Sequence, residues 1–266
     1  MSLRPAILLS LAFLALAFTG VACSTLPGRS EYRGADTRHR YALAGDEGPV
    51  VVFENGLGNS MRVWNPVFEP VSGFARAFAY DRAGVGGSRS ETTTRDGATI
   101  VRELRALLQS LELEPPYVLV GHSLGGQFVE LYARTHPEEV AAVVFVDARH
   151  AEFGTRCLEA QAERCAVPWY ARLLMPSGPR GELEAAEATT RAIRDAGPFP
   201  PVPVRVLTGR GQPPEMPNLR RAWAESQADL VRLSPLGTQE ICEDCGHYVQ
   251  RDAPERVIGA IRALVE

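Results

Sequence analysis

The chain alternates two hydrophobic rhythms. Residues 49–53, 117–120 and 140–146 are short runs dominated by apolar side chains, the signature of strands buried on both faces of a parallel sheet. Residues 74–79, 204–208 and 238–242 are further short strand candidates, and residues 37–44 have moderate strand character. Between them lie stretches of helical spacing. In residues 98–111 the apolar positions are Ile100, Val101, Leu104, Leu107, Leu108 and Leu111, a repeat that marks one buried helix face. Residues 127–133, 183–196, 219–230 and 254–265 also read as helical, with Pro137 stopping the first of these. Strands alternating with helices predict an α/β fold, a doubly wound and mostly parallel sheet with its sites at the carboxyl ends of strands. Residues 150–203 interrupt the alternation, with prolines at Pro198, Pro200, Pro201 and Pro203. That stretch is expected to form a small, mostly helical cap inserted into the sheet domain.

The first 22 residues follow neither rhythm. Arg4 is their only charge, and residues 5–18 form an apolar run too short to span a bilayer comfortably. Gly20-Val21-Ala22 then precede Cys23, which is the layout of an export signal. It resembles a bacterial lipoprotein signal, in which the cysteine is lipidated and becomes the mature N-terminus. Gly20 stands where that pattern usually has leucine, and Gly-Val-Ala also suits ordinary signal peptidase. The expectation is therefore a signal over residues 1–22, a polar tether over residues 23–36, and a folded domain over residues 37–266. A lipid on Cys23 would anchor the exported chain to a membrane.

Composition narrows the function classes. The chain has 266 residues, 45% of them apolar, enough for one sizeable core. Its net charge of −4 comes without a block of like charge, which argues against nucleic acid as a partner. All 28 basic residues are arginine, so a catalytic lysine is excluded.

The candidate chemistry centres on Gly121-His122-Ser123-Leu124-Gly125-Gly126, which joins the strand at 117–120 to the helix that follows. A serine on a sharp strand-to-helix turn has strained backbone angles and close neighbours, and flanking glycines remove the Cβ atoms that would clash. The turn lifts the Ser123 hydroxyl clear of the sheet and sets the Leu124 N–H at a helix start, facing a developing oxyanion. A second glycine-rich loop, Glu54-Asn55-Gly56-Leu57-Gly58, follows the strand at 49–53 and offers the Leu57 N–H as a second donor.

With Tyr80-Asp81-Arg82-Ala83-Gly84-Val85-Gly86-Gly87-Ser88 and with Gly246-His247 before the last helix, these motifs make the chain resemble the α/β-hydrolase superfamily. The likeness runs from about residue 37 to residue 266, apart from the cap, and is strongest to esterase- and lipase-like serine hydrolases. Asn55 stands where that family usually has the histidine of His-Gly. The resemblance implies a nucleophile, acid and base in the chain order Ser, acid, His, which Ser123, Asp147 and His247 obey. The family's usual place for the acid follows the strand at 204–208, where the sequence has no aspartate and Glu215 is the nearest carboxylate downstream. Asp147 occupies the alternative place, the end of the preceding strand. The implied activity is cleavage of a small-molecule carboxylic ester with no cofactor and no metal. Acyl transfer, lactone opening and peptide cleavage are the enzymatic alternatives, and a non-catalytic binding lipoprotein is the alternative of a different class.

Five cysteines remain to be placed: Cys23, Cys157, Cys165, Cys242 and Cys245. If Cys23 carries lipid, the other four point to disulfides in an exported chain. Local pairing joins Cys157 to Cys165 and Cys242 to Cys245, whereas either crossed pairing staples the cap to the loop before His247. The spacing does not fit a zinc finger.

Overall fold

Val50, Val51, Val52 and Phe53 are fully buried, as are Val118 to Val120 and Val143 to Val146, and these runs lie side by side in the middle of one sheet. The computed structural model describes residues 26–34, 37–163, 165–210 and 215–266; the expected signal segment and Cys23 lie outside the described residues. In chain order the strands are β1 (Arg29–Arg33), β2 (Thr37–Ala44), β3 (Val50–Glu54), β4 (Arg76–Tyr80), β5 (Arg89–Ser90), β6 (Tyr117–His122), β7 (Val140–Val146), β8 (Val204–Gly209) and β9 (Gly237–Cys242). The helices are α1 (Asn65–Ser72), α2 (Gly97–Ser110), α3 (Gly125–Thr135), α4 (Phe153–Glu159), α5 (Trp169–Leu173), α6 (Ser177–Glu184), α7 (Ala186–Asp195), α8 (Pro217–Arg232), α9 (Val249–Asp252) and α10 (Pro254–Val265).

The strand order is β1-β2-β4-β3-β6-β7-β8-β9, with β5 paired to β2. From β4 to β9 all neighbours are parallel, and β1, β2 and β5 form an antiparallel margin. Because successive side chains point to opposite faces, β3 feeds two cores. Val51 and Phe53 pack with α1 and α10 residues such as Val67, Phe68, Val257 and Ile261. Val50 and Val52 pack on the other face with Leu104, Leu107 and Leu108 of α2. Helix α2 begins where Asp96 accepts the Thr99 N–H at 2.8 Å, a cap worth about 1 kcal/mol.

The register puts the chemistry on one edge. Glu54 pairs with Gly121, His122 with Val146, Val146 with Leu207, and Gly209 with Cys242. The loops that leave β3, β6, β7, β8 and β9 therefore rise together from the carboxyl end. Strand order reverses between β3 and β6, the place where an open α/β sheet offers a crevice.

Two expectations are corrected. The tether over residues 23–36 ends earlier than its polarity suggests: Leu26 is buried in the core and Arg29–Arg33 pair antiparallel with β2. A strand at a sheet margin is held by backbone hydrogen bonds and needs few apolar side chains, so Arg-Ser-Glu-Tyr-Arg passes for linker. The single helix expected over 183–196 is two, broken at Ala185. Each half packs elsewhere: Gly178 of α6 lies against Gly84, whereas Thr189 of α7 accepts the Gly97 N–H at 2.9 Å. Helices α4 to α7 occupy the stretch between β7 and β8.

Candidate active site

Ser123 sits at the sharp turn between β6 and α3 with φ +51, a left-handed angle that a non-glycine residue holds only when its surroundings enforce it. Three backbone hydrogen bonds enforce it: Ser123 N–H to Val146 O at 3.3 Å, Arg149 N–H to Ser123 O at 2.8 Å, and Gly126 N–H to Ser123 O at 3.0 Å. Gly125 is required by close approach, since a Cβ there would stand 2.5 Å from Glu54 O and 2.6 Å from Asn55 O. That contact seats the β3 loop against the start of α3.

His247, on the loop between β9 and α9, reaches both partners expected of it. Its Nε2 lies 2.9 Å from Ser123 Oγ and its Nδ1 lies 2.6 Å from Asp147 Oδ2. A carboxylate accepts only, so Nδ1 carries the proton and Nε2 presents its lone pair to the serine hydroxyl. Asp147 is buried and doubly fastened at its other oxygen. Its Oδ1 accepts the Gly209 N–H at 3.1 Å and the Trp223 indole N–H at 2.9 Å. Glu215 is exposed, and the His247 Nδ1 that it would have served is taken by Asp147.

Leu57 and Leu124 flank the serine and share a small cluster with Ile100 and Phe128. Their N–H groups are absent from the turn hydrogen bonds of the described residues, whereas neighbouring groups are engaged, Asn59 N–H with Gly56 O and Gly126 N–H with Ser123 O. The β3 loop is held from beneath by groups whose roles the sequence does not announce. Arg82 donates to Asn55 O at 2.7 Å and to Gly56 O at 3.0 Å. It also pairs with Glu54 at 2.6 Å and, from the other side, with Glu182 of α6 at 2.7 and 2.8 Å. Burial works against the charge on Arg82, but Glu182 and Glu54 together hold its pKa above the ordinary value. Burial raises the Glu54 carboxyl, against the pull of Arg82 and of the Tyr80 hydroxyl that donates to it at 2.6 Å.

Asn55, the departure from the family pattern, has a structural use. Its side chain donates to Tyr80 O at 2.7 Å and accepts the Trp64 indole N–H at 2.9 Å. The one sign of this cluster in the sequence is a glutamate closing an otherwise apolar strand, a buried charge that must find a partner.

His122 is buried beneath the serine and its Nε2 donates to His247 O at 2.8 Å. Burial, reinforced by the nearby His247, lowers its pKa from 6.5 to about 3. It is a neutral prop for the His247 loop. Of the cysteines, Cys157 is bonded to Cys165 and Cys242 to Cys245, so the local pairing holds and the second bridge closes the loop just before His247.

A hydroxyl, an imidazole and a carboxylate in hydrogen-bonded series make an arrangement able to deprotonate the serine. Comparisons with known proteins agree with the fold. The α/β-hydrolase-fold family model matches residues 49–177. The chain has the α/β-hydrolase fold and resembles that superfamily. It is 29% identical over 227 residues to protein YqjL of Bacillus subtilis, covering 85% of each chain. Among solved structures, a thermophilic esterase from Thermogutta terrifontis superposes with a TM-score of 0.62 at 20% identity, over 90% of this chain and 99% of the other. An α/β-hydrolase-fold protein from Burkholderia ambifaria superposes with a TM-score of 0.65 at 20% identity, over 90% and 98%.

Proposed function

We propose that the chain is an exported serine hydrolase that cleaves carboxylic esters through an acyl-enzyme. The observation that carries this reading is the hydrogen-bonded series from Asp147 through His247 to Ser123 Oγ, with 2.6 and 2.9 Å at its two links. His247 takes the hydroxyl proton as Ser123 attacks the acyl carbonyl. The Leu57 and Leu124 N–H groups hold the oxyanion, where one such donor is worth about 3–4 kcal/mol of barrier in comparable enzymes. His247 then passes its proton to the leaving alcohol, and a water activated by the same imidazole releases the acid. The ester class draws support from the Thermogutta terrifontis esterase among the neighbours in fold.

Export over residues 1–22 and a lipid on Cys23 belong to the same proposal, and they rest on the sequence pattern. The test is labelling with a fluorophosphonate probe together with turnover of nitrophenyl esters of graded acyl length. Labelling and hydrolysis by the unaltered protein, both lost in Ser123→Ala with the fold retained, are expected. A folded protein that neither labels nor turns over any ester overturns the reading.

A further inference from the structure

The Trp223 indole donates to Asp147 Oδ1 at 2.9 Å, on the oxygen opposite the one that faces His247. Trp223 comes from α8, outside every motif that marks the site. It is itself nearly buried, with Ala222 and Leu219 of α8 and Phe153 and Cys157 of α4 in the same cluster. Phe153 meets it edge-on at 4.8 Å between ring centres. Trp223 also makes a T-shaped pair with the His247 imidazole, with ring centres 5.7 Å apart.

We propose that Trp223 is a positioning residue of the hydrolytic site, which fixes the acid and links it to the first helix of the cap. The inference rests on the function proposed above. Asp147 occupies a left-handed backbone position, φ +39, and must hold its carboxylate within hydrogen-bond range of Nδ1. Two donors on Oδ1, the Gly209 N–H and the indole, turn the carboxylate so that Oδ2 meets His247. They also absorb part of its negative charge, which sets how strongly it stabilises an imidazolium. The cluster of Phe153, Cys157 and Trp223 carries the seat of α4 to the same carboxylate, with Cys165 packed on it through the bridge to Cys157. The other groups near the imidazole are the rings of His122 and Tyr248, with Arg251 close to His122.

The experiment compares Trp223→Phe, which keeps an aromatic ring and loses the N–H, with Phe153→Leu, which disturbs the same cluster and leaves the N–H in place. Removing one hydrogen bond to a charged group predicts a fall in kcat of about tenfold or more, with KM little changed. The carboxylate, with one donor fewer, holds the imidazolium more firmly, so the acid limb of the pH profile moves to higher pH. Phe153→Leu should leave that limb where it is. An unmoved limb in Trp223→Phe, or an equal movement in Phe153→Leu, reduces Trp223 to packing and overturns the proposal.

A second measurement needs no variant and no substrate. The Trp223 indole N–H resonance of the unaltered protein should shift as the solution is taken through the acid limb of that profile. An indole resonance indifferent to that titration overturns the proposal even if Trp223→Phe does not fold. Absence of labelling and turnover in the unaltered protein would instead refute the hydrolase reading, and the indole titration would still decide the hydrogen bond.

Discussion

Arg82 and Glu182 are 100 residues apart in sequence and share two hydrogen bonds in the interior, 2.7 Å from Nε and 2.8 Å from Nη2. On the opposite side Arg82 meets Glu54 and the carbonyls of the β3 loop. One guanidinium thus joins β3, the loop bearing Leu57, and helix α6.

That arrangement predicts unequal costs for breaking it from its two ends. Arg82→Leu strands two buried carboxylates and should lower unfolding stability by about 3–5 kcal/mol. Glu182→Gln leaves the guanidinium paired with Glu54 and should cost about 1–3 kcal/mol. Urea denaturation measures both, and an Arg82→Leu protein as stable as the unaltered one would refute the account.

The acid assignment yields a second prediction. Asn at position 147 turns an N–H towards Nδ1, so the imidazole must keep its proton on Nε2, the nitrogen that has to accept from Ser123. Asp147→Asn should therefore lower kcat by about four orders of magnitude while the fold persists. Glu215→Gln, at an exposed position, should leave ester turnover within about twofold of the unaltered protein, the range of surface changes that touch no such feature. Steady-state kinetics that reversed these two would move the acid role to Glu215.

Much of this site was legible because its geometry is local. Ser123 is placed by a strand, a turn and a helix adjacent in sequence, and the glycines that permit the turn stand within three residues of it. Asp147 was legible because parallel neighbours end at one edge. The supports were not. Glu182 reaches Arg82 from the cap, and Trp223 reaches Asp147 from the outer helix layer, through contacts that no spacing along the chain encodes. The β1 strand escaped for another reason: backbone pairing at a sheet margin leaves little trace in side-chain polarity.

The membrane proposal is checked by fractionation. With Leu26 already buried in the core, Cys23 lies only three residues upstream of the fold. A lipid there would hold the domain close to the bilayer surface. The full chain should fractionate with membranes, and Cys23→Ser should appear in the soluble exported fraction. Equal solubility of the two proteins rejects the anchor and leaves ordinary export standing.

His122 provides the prediction about pH. Its pKa in the folded protein lies near 3, below the ordinary 6.5, because burial disfavours the imidazolium. The unfolded chain therefore binds a proton that the folded chain refuses, over the window between those two values. Stability associated with His122 is fully present above about pH 6.5 and is lost as pH falls towards 3, at up to about 1.4 kcal/mol per pH unit. His122→Gln removes the titrating group and retains an N–H able to reach His247 O. Denaturation midpoints of the two proteins should run parallel above about pH 6.5 and converge, or cross, as the solution is made more acidic. Curves that stay parallel down to about pH 4 would mean that the imidazole accepts its proton inside the fold. In that case His122 would not be the neutral prop beneath the His247 loop.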